Sequence, residues 1–458
     1  MKKIKVIATL LTLTLCGYIF ADAWDVVPGV FTTKPLVAEA LPYPESSEVE
    51  ANEAVLPELA QPTAPDAATV SAAIKEMLDD EKMSGTAAVL VIDPLTGETI
   101  VDVNSRTPVI PASNLKYYTA AASLHAMGPD ATFTTSVKLS GTELYLVGGG
   151  DIMLAAGAGD PTAANGRAGL GDLASETAEA LSAAGVTTVS LYVDSSLFSG
   201  ALYHPEIAGT PDEKYVMEMR TISVNRAIFE EEGDEWPTIS RDADLQTAQI
   251  FADHLAQAGI EVTAVDRGVA GDDAEIIASV QSAPVRDIVA FMMSTSDNSV
   301  ADALGRMVAV TRGQTADYNG ATKAIVEVLK EEGYPMDGVR MSDCSGLADG
   351  SLATAVSISA ILQEAWNCND CDLASLPSSL AVSALSGTLD DRYVDSPLAG
   401  EIRAKTGTLN EATSLSGYLR TGSGYPLIFS IIVSDHEPYT NLDIRALMDT
   451  ALRKIAAS

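Results

Sequence analysis

Basic residues are scarce in this chain. Lysine and arginine number 28 against 63 aspartates and glutamates in 458 residues, a formal net charge of −35. That balance argues against a nucleic-acid partner, whose phosphate backbone needs a basic face, and against docking on an anionic membrane surface. Cysteine is rarer still. Cys16, Cys344, Cys368 and Cys371 cannot staple a fold of this length, which is long enough to bury its own core. Cys368-Asn-Asp-Cys371 has the spacing of a metal or redox pair, but no second pair and no nearby histidine completes a zinc site. A local disulfide or two free thiols is the expectation. The four histidines (His125, His204, His254 and His436) are scattered and form no His-Glu-x-x-His or His-x-His cluster. No metal and no cofactor is expected. Gly-x-Ser-x-Gly is missing, which removes the nucleophile elbow of α/β-hydrolases. Gly148-Gly149-Gly150 is not followed by the Gly-Lys-Ser/Thr that a phosphate loop requires. Hydrophobic residues make up 47 % of the chain, too many for a disordered acidic polymer. An acidic, soluble, mostly folded protein is expected.

The N-terminus departs from this acidity. Lys2, Lys3 and Lys5 precede an uncharged run, Val6 to Phe20, and Ala21-Asp22-Ala23 fits a small-x-small cleavage site. Residues 1–23 read as a cleaved export signal or, because the run is at the short edge of a membrane span, as an uncleaved N-terminal anchor. Either way the remainder lies outside the cytoplasm. Residues 24–69 read as a linker: from residue 22 to 69 there are seven prolines, nine acids, one base and no apolar period.

Beyond it, Gly85 to Ile92 and Glu98 to Val103 read as paired strands about the turn Asp93 to Gly97. An Ala- and Leu-rich helix follows from about Ser113 to Met127. Residues 139–284 have another texture, with short strands (Leu144 to Val147, Val189 to Val193), helical runs, and six bases against 24 acids, including Glu230 to Glu232. Helical patterning resumes at Ile288. Near the C-terminus, Leu415 to Leu419 and Leu427 to Val433 flank the turn Thr421-Gly422-Ser423-Gly424, and a last helix puts Ile444, Leu447, Met448, Ala451, Leu452 and Ile455 on one face. The order describes an α+β fold: an antiparallel sheet assembled from both chain ends and flanked by helices, a helical subdomain, and a large inserted α/β or β-rich domain. The division is 70–138 with 285–458 for the catalytic part and 139–284 for the insertion.

A serine–lysine constellation can carry chemistry. Ser113-Asn114-Leu115-Lys116 puts a hydroxyl and an amine one helical turn apart on one face. A serine becomes a nucleophile when a base takes its proton, and a lysine serves once desolvation and a second cation lower its pKa. Ser296-Asp297-Asn298 opens a helix and offers a relay hydroxyl and an orienting amide, although Ser223-Val224-Asn225 competes for that role. Lys405-Thr406-Gly407-Thr408 precedes a strand; its cation and hydroxyls suit an anionic terminus, and Gly407 leaves room for substrate backbone. Each motif alone is weak. Their order, at intervals of 183 and 109 residues, is much more specific.

On these motifs the chain resembles the penicillin-binding D-alanyl-D-alanine carboxypeptidases of the class C low-molecular-mass group, the peptidase S13 family. The resemblance spans about Ser71 to Ile455. It includes Gly148 to Asp151, Leu191 to Phe198, Ser223-Val224-Asn225, Ser345-Gly346-Leu347, Gly387-Thr388-Leu389 and Arg403 to Leu409. It implies a serine β-lactamase/DD-peptidase-like fold, and the long insertion separates the chain from small β-lactamases. It implies that Ser113 is acylated, that Lys116 is its base, and that Ser296 and Asn298 complete the relay. Lys405 and Thr406 would face the substrate carboxylate, with Gly407 and Thr408 alongside and the N–H groups of Ser113 and Thr408 as the oxyanion hole. Asp151 and Asp349 are assigned to substrate binding. Asp349 stands near where many members carry an arginine, so an amine-bearing lysine- or ornithine-type stem peptide is expected over meso-diaminopimelate. The implied partners are peptidoglycan stem peptides and, as inhibitors, β-lactam antibiotics. The implied reaction is removal of the terminal D-Ala, with DD-endopeptidase activity left open, at the cell wall or the outer face of the cytoplasmic membrane. The alternatives are a serine β-lactamase and a non-catalytic cell-wall-binding relative. No Glu-x-x-Leu-Asn occurs between Ser296 and Lys405 to position a hydrolytic water.

Overall fold

The computed structural model describes residues 12, 14–22, 62–229 and 238–457. The chain divides into Met1–Gln61 and Pro62–Ser458. In the first unit, 14–22 is helical (α1). Among the described residues no helix is long and apolar enough to cross a membrane. Most of the expected export segment, the linker over 24–61 and the Glu230–Glu232 cluster lie outside the described residues.

The second unit starts with α2 (Ala67–Asp79). Asp66 caps it by accepting from the Thr69 N–H at 3.1 Å, and Val70, Ala73, Ile74 and Met77 form its buried stripe. The helix therefore begins before the expected linker ends, because Asp66 supplies the cap. Strands β1 (Thr86–Ile92) and β2 (Thr99–Val103) follow, then α3 (Lys116–Met127) and the insertion: β3 (Thr134–Ser140), β4 (Glu143–Val147), α4 (Leu170–Ala183), β5 (Thr188–Asp194), β6 (Ile228–Phe229), β7 (Thr238–Ile239), α5 (Ala243–Gln257), β8 (Glu261–Arg267) and β9 (Glu275–Gln281). The chain continues with α6 (Val285–Thr295), α7 (Asn298–Thr311), α8 (Tyr318–Glu331), α9 (Ala355–Asn367), β10 (Ala381–Val382), β11 (Ile402–Leu409), β12 (Ala412–Arg420), β13 (Pro426–Ser434) and α10 (Asn441–Ala456).

The larger sheet has the order β10-β11-β12-β13-β1-β2 and is antiparallel throughout. β1 pairs with β13 from Thr86↔Ser434 to Ile92↔Ile428, so both chain ends meet in one sheet. Alternation decides its two faces. Val89, Val91, Phe429, Ile431 and Val433 pack with α2 and α10; Ala88, Leu90, Ile428 and Ile432 pack with α3 and the helices α6 to α9. Burial of one such side chain stabilises the fold by roughly 1.5–3 kcal/mol.

The insertion is a mixed five-stranded sheet, β8-β5-β4-β3-β9. β5 runs parallel to β4 and β8, which needs crossover connections, and α4 and α5 lie in them. β3 pairs with β9 from Thr134↔Gln281 onward, so the sheet takes in residues assigned to the catalytic part; the expected boundary at 138/139 falls inside a strand. In β3 only Val137 and Leu139 are large and apolar, too few for the alternation to mark its start.

Cys368 and Cys371 form a disulfide where α9 ends, and Cys344 is a buried free thiol.

Candidate active site

Ser113 sits in a 3-10 turn, Ala112–Leu115, that leads into α3. The turn is entered through Ala112 at φ +47°, a left-handed conformation that is strained for a residue with a Cβ. Several bonds pin it to the larger sheet. Pro111 O accepts from Ser414 Oγ at 2.7 Å, and Asn114 Nδ2 donates to Ser414 Oγ at 2.6 Å and to Lys405 O at 3.2 Å. Two glycines permit the close approach. A Cβ on Gly407 would lie 3.0 Å from both Pro111 O and Ser113 N, and one on Gly346 would lie 2.1 Å from Ala112 O.

Lys116, the first residue of α3, has no exposed surface. Its Nζ lies 3.2 Å from Ser113 Oγ, 2.7 Å from Asn298 Oδ1 and 2.8 Å from Ser345 O. Asn298 Oδ1 and Ser345 O can only accept, so they take two N–H groups. The remaining position on a neutral amine is a lone pair facing the Ser113 hydroxyl. Burial pushes Lys116 down to about 8, while the charges of Asp343, Asp302 and Asp297 pull it back up. Of the two expected causes, desolvation lowers this amine, and no second cation contributes. Lys405 is also fully buried, and burial, with the Lys116 charge second, holds it well below the ordinary lysine range. Its Nζ donates to Thr406 O at 2.9 Å, and Thr406 Oγ1 donates to Thr388 Oγ1 at 2.8 Å.

Ser296 ends α6 at φ +64°, and Asp297 caps α7 by accepting from Val300 N–H at 2.9 Å. The two helices break at the second motif, and Asn298 rather than Asn225 reaches Lys116. Ser113, Ser296, Asn298 and Thr408 line one cleft of about 420 Å³. Gly346, Leu347, Asn410 and Asn441 line it too, and Asp212 and Tyr215 close it from the insertion. A larger depression of about 780 Å³, between Ser396–Glu401 and the end of α10, lies elsewhere and contains no nucleophile–base pair.

Of the five expected substrate contacts only Thr408 is in the cleft lining; Thr406 and Gly407 adjoin it along β11, and Asp151 and Asp349 lie elsewhere. Asp151 is buried, with Oδ1 accepting from Met153 N–H at 2.8 Å, and burial raises it to about 6. Phe133, Ile288, Val300 and Leu304 surround it, so it is an interior carboxylate tying the glycine run to the core. Asp349 is exposed on the turn beyond Leu347, outside the cleft lining. Sequence reasoning passed over Asp212 and Tyr215. Thr210-Pro211-Asp212 carries only a helix-start signal, with Thr210 capping at 3.2 Å, and nothing local tells which surface that turn meets.

A serine hydroxyl 3.2 Å from a fully buried amine, on a turn backed by an antiparallel sheet, is the arrangement that serine acyl-transfer chemistry of the DD-peptidase and β-lactamase class uses. The family model described as D-Ala-D-Ala carboxypeptidase 3 (S13) matches residues 70–219 and 213–455. The chain belongs to this family and is a serine-type DD-carboxypeptidase, a hydrolase. It is 33 % identical over 408 residues to the carboxypeptidase Rv3627c of Mycobacterium tuberculosis, covering 87 % of this chain and 86 % of that protein. It is 31 % identical over 424 residues to the carboxypeptidase DacB of Mycolicibacterium smegmatis, covering 90 % and 89 %. Its fold is shared with penicillin-binding protein 4 of Haemophilus influenzae at a TM-score of 0.64 and 20 % identity, over 83 % of this chain and 97 % of that one. That protein has also been solved in complex with a β-lactam.

Proposed function

We propose that Ser113 is the nucleophile of an acyl-enzyme reaction on peptidoglycan stem peptides. Neutral Lys116 takes the Ser113 proton as Oγ attacks the carbonyl carbon of the penultimate D-Ala. The N–H groups of Ser113 and Thr408 receive the developing oxyanion. The C–N bond breaks, the proton passes through Ser296 to the departing amine, and terminal D-Ala leaves. Water then hydrolyses the ester. Lys405 and Thr406 serve the substrate carboxylate, whose negative charge offsets the cost of a buried ammonium. The contact of Lys116 Nζ with Ser113 Oγ, Asn298 Oδ1 and Ser345 O carries this reading.

β-Lactams acylate the same serine. DD-endopeptidase activity uses the same intermediate with a longer leaving group. The site of action is extracytoplasmic, at the wall or on the membrane's outer face, consistent with the basic and then apolar N-terminus. Asp212 in the cleft is a carboxylate that would repel the extra carboxylate of diaminopimelate, which supports a preference for a lysine- or ornithine-type stem peptide. Equal or better turnover of the diaminopimelate pentapeptide would defeat that preference. Mass spectrometry after penicillin treatment tests the central reading: a lasting adduct on Ser113 supports it, rapid drug hydrolysis indicates a β-lactamase, and no reaction indicates a non-catalytic wall binder.

A further inference from the structure

We propose that the inserted domain is a clamp on the second motif and that Arg226 is the positioning residue through which it acts. Three successive residues are held by insertion groups. Arg226 Nη1 donates to Asp297 Oδ2 at 3.0 Å, Asn298 Nδ2 donates to Tyr215 O at 3.1 Å, and Met217 N–H donates to Ser299 Oγ at 2.9 Å. The Arg226 and Asp297 side chains are 15 % and 13 % exposed, so the pair is shielded from water and salt.

Arg226 is held in an unusual backbone. Asn225, Arg226 and Ala227 lie at φ +45°, +58° and +58°, three consecutive left-handed residues without a glycine. L-residues take that conformation as single positions, and it persists only where the surroundings over-determine it. Here they do. Asn225 N–H donates to Leu154 O at 3.0 Å and Arg226 N–H to Ile152 O at 2.7 Å. Asn225 Oδ1 accepts from Asn165 Nδ2 at 2.8 Å and from Arg226 Nη2 at 2.7 Å. The guanidinium lies 4.9 Å from the Phe291 ring centroid on α6. Arg226 thus bridges the end of α6 and the start of α7, across the left-handed Ser296 between them. Fixing that break fixes Asn298 Oδ1, one of the two acceptors that leave the Lys116 lone pair facing Ser113.

The clamp also has an electrostatic consequence. Asp302 of α7, its cap Asp297, and Asp343 before Ser345 carry the charges that act on Lys116, and Lys405 of β11 is close enough to feel the Lys116 charge. Arg306 partly offsets Asp302, and Arg226 neutralises Asp297. Removing Arg226 leaves the Asp297 charge free to favour the protonated amine.

The test uses the full chain as wild type, Arg226→Gln, Arg226→Lys, Asp297→Asn and the Arg226→Gln/Asp297→Asn double variant. Acylation by a fluorescent penicillin is timed across pH, alongside thermal melting. Arg226→Gln should slow the plateau rate by about ten- to a hundredfold, the scale expected for a misplaced catalytic group. It should also move the acid limb to higher pH. Adding Asp297→Asn should return that limb to the wild-type position or below, and Arg226→Lys should keep most of the rate. Wild-type rate and pH profile in Arg226→Gln would overturn the clamp. So would a lowered melting point with unchanged kinetics, or slower acylation with an unmoved limb. The inference rests on Ser113 as nucleophile, so labelling of wild type is read first. Its absence defeats that assignment, whereas labelled wild type with unaltered Arg226→Gln defeats the clamp alone.

Discussion

In the larger sheet every residue from Ala412 to Leu419 in β12 and from Leu427 to Ser434 in β13 is buried. In the smaller sheet β9 buries only Ala278, none of β8 is fully buried, and Ile276 is 64 % exposed. Helices cover the first sheet on both faces, whereas the core of the second collects on the side of α4 and α5. Two-sided burial withholds water from a strand, so polar groups there must find protein partners. Lys405 bonds to Thr406 O, Ser414 to Pro111 O, and Ser416 to Ser430. Such a sheet can hold a desolvated amine beside a nucleophile. The one-sided sheet provides no such interior, and its insertion reaches the cleft through the segment around Asp212 and Tyr215.

The severest test of this contrast is Ser113→Ala. Penicillin labelling and D-Ala release should fall by at least about a thousandfold. Ile276→Ser on the open face of the smaller sheet should leave both within about twofold, and a large loss there would break the contrast. Next is the pH profile. With Lys116, pushed down to about 8, as the proposed neutral base, kcat/KM should rise with pH through that region. A rate already flat from pH 6 upward would contradict a lysine base. Stability should divide the sheets as well. Ile431→Ala, in a fully buried strand, should cost about 2–5 kcal/mol in urea unfolding, against roughly 0.5 kcal/mol or less for Ile276→Ser. Similar values would show that the coverage of the two sheets is energetically alike.

Smaller effects sharpen the picture of the buried charges. Lys405 is held below the ordinary lysine range, so its amine should take up a proton when a carboxylate-bearing β-lactam binds. Calorimetry in buffers of different ionisation enthalpy reads this, and release of a proton would reverse the assignment. Asp302 is raised to about 8 by burial and the Asp343 charge. Its carboxyl therefore gives up its proton at a higher pH in the folded state than in the unfolded chain, where it does so near 3.8. The stability this contributes is full below the unfolded value and is lost as pH rises through the folded one. The melting point of Asp302→Asn should accordingly fall less between pH 5 and 9 than that of wild type.

Much of the catalytic fold was legible because its signals are local. Thr421 to Gly424 turns a hairpin between two apolar runs, and the face of α10 follows from a 3.6-residue period. Ser113 and Lys116 meet because they are three apart on a tight turn, and Asp297 caps a helix from its own side chain. The start of β3 was not legible, since its pairing partner lies more than a hundred residues away in β9. The Ser223-Val224-Asn225 competitor looked like the second motif, yet its neighbourhood forms a left-handed turn that supports that motif from outside.

The sequence by itself determined the three motifs and their order, because a motif is a statement about neighbours along the chain. Only the tertiary structure decided what those residues experience. Of the desolvation and second cation expected to lower Lys116, only desolvation does so. Asp151 is withdrawn into the core, and Asp212 and Tyr215 reach the cleft from the insertion. Desolvation and charge depend on what surrounds a group in space, and at this site those surroundings come from segments up to about 300 residues apart, as in the bond from Asn114 to Ser414.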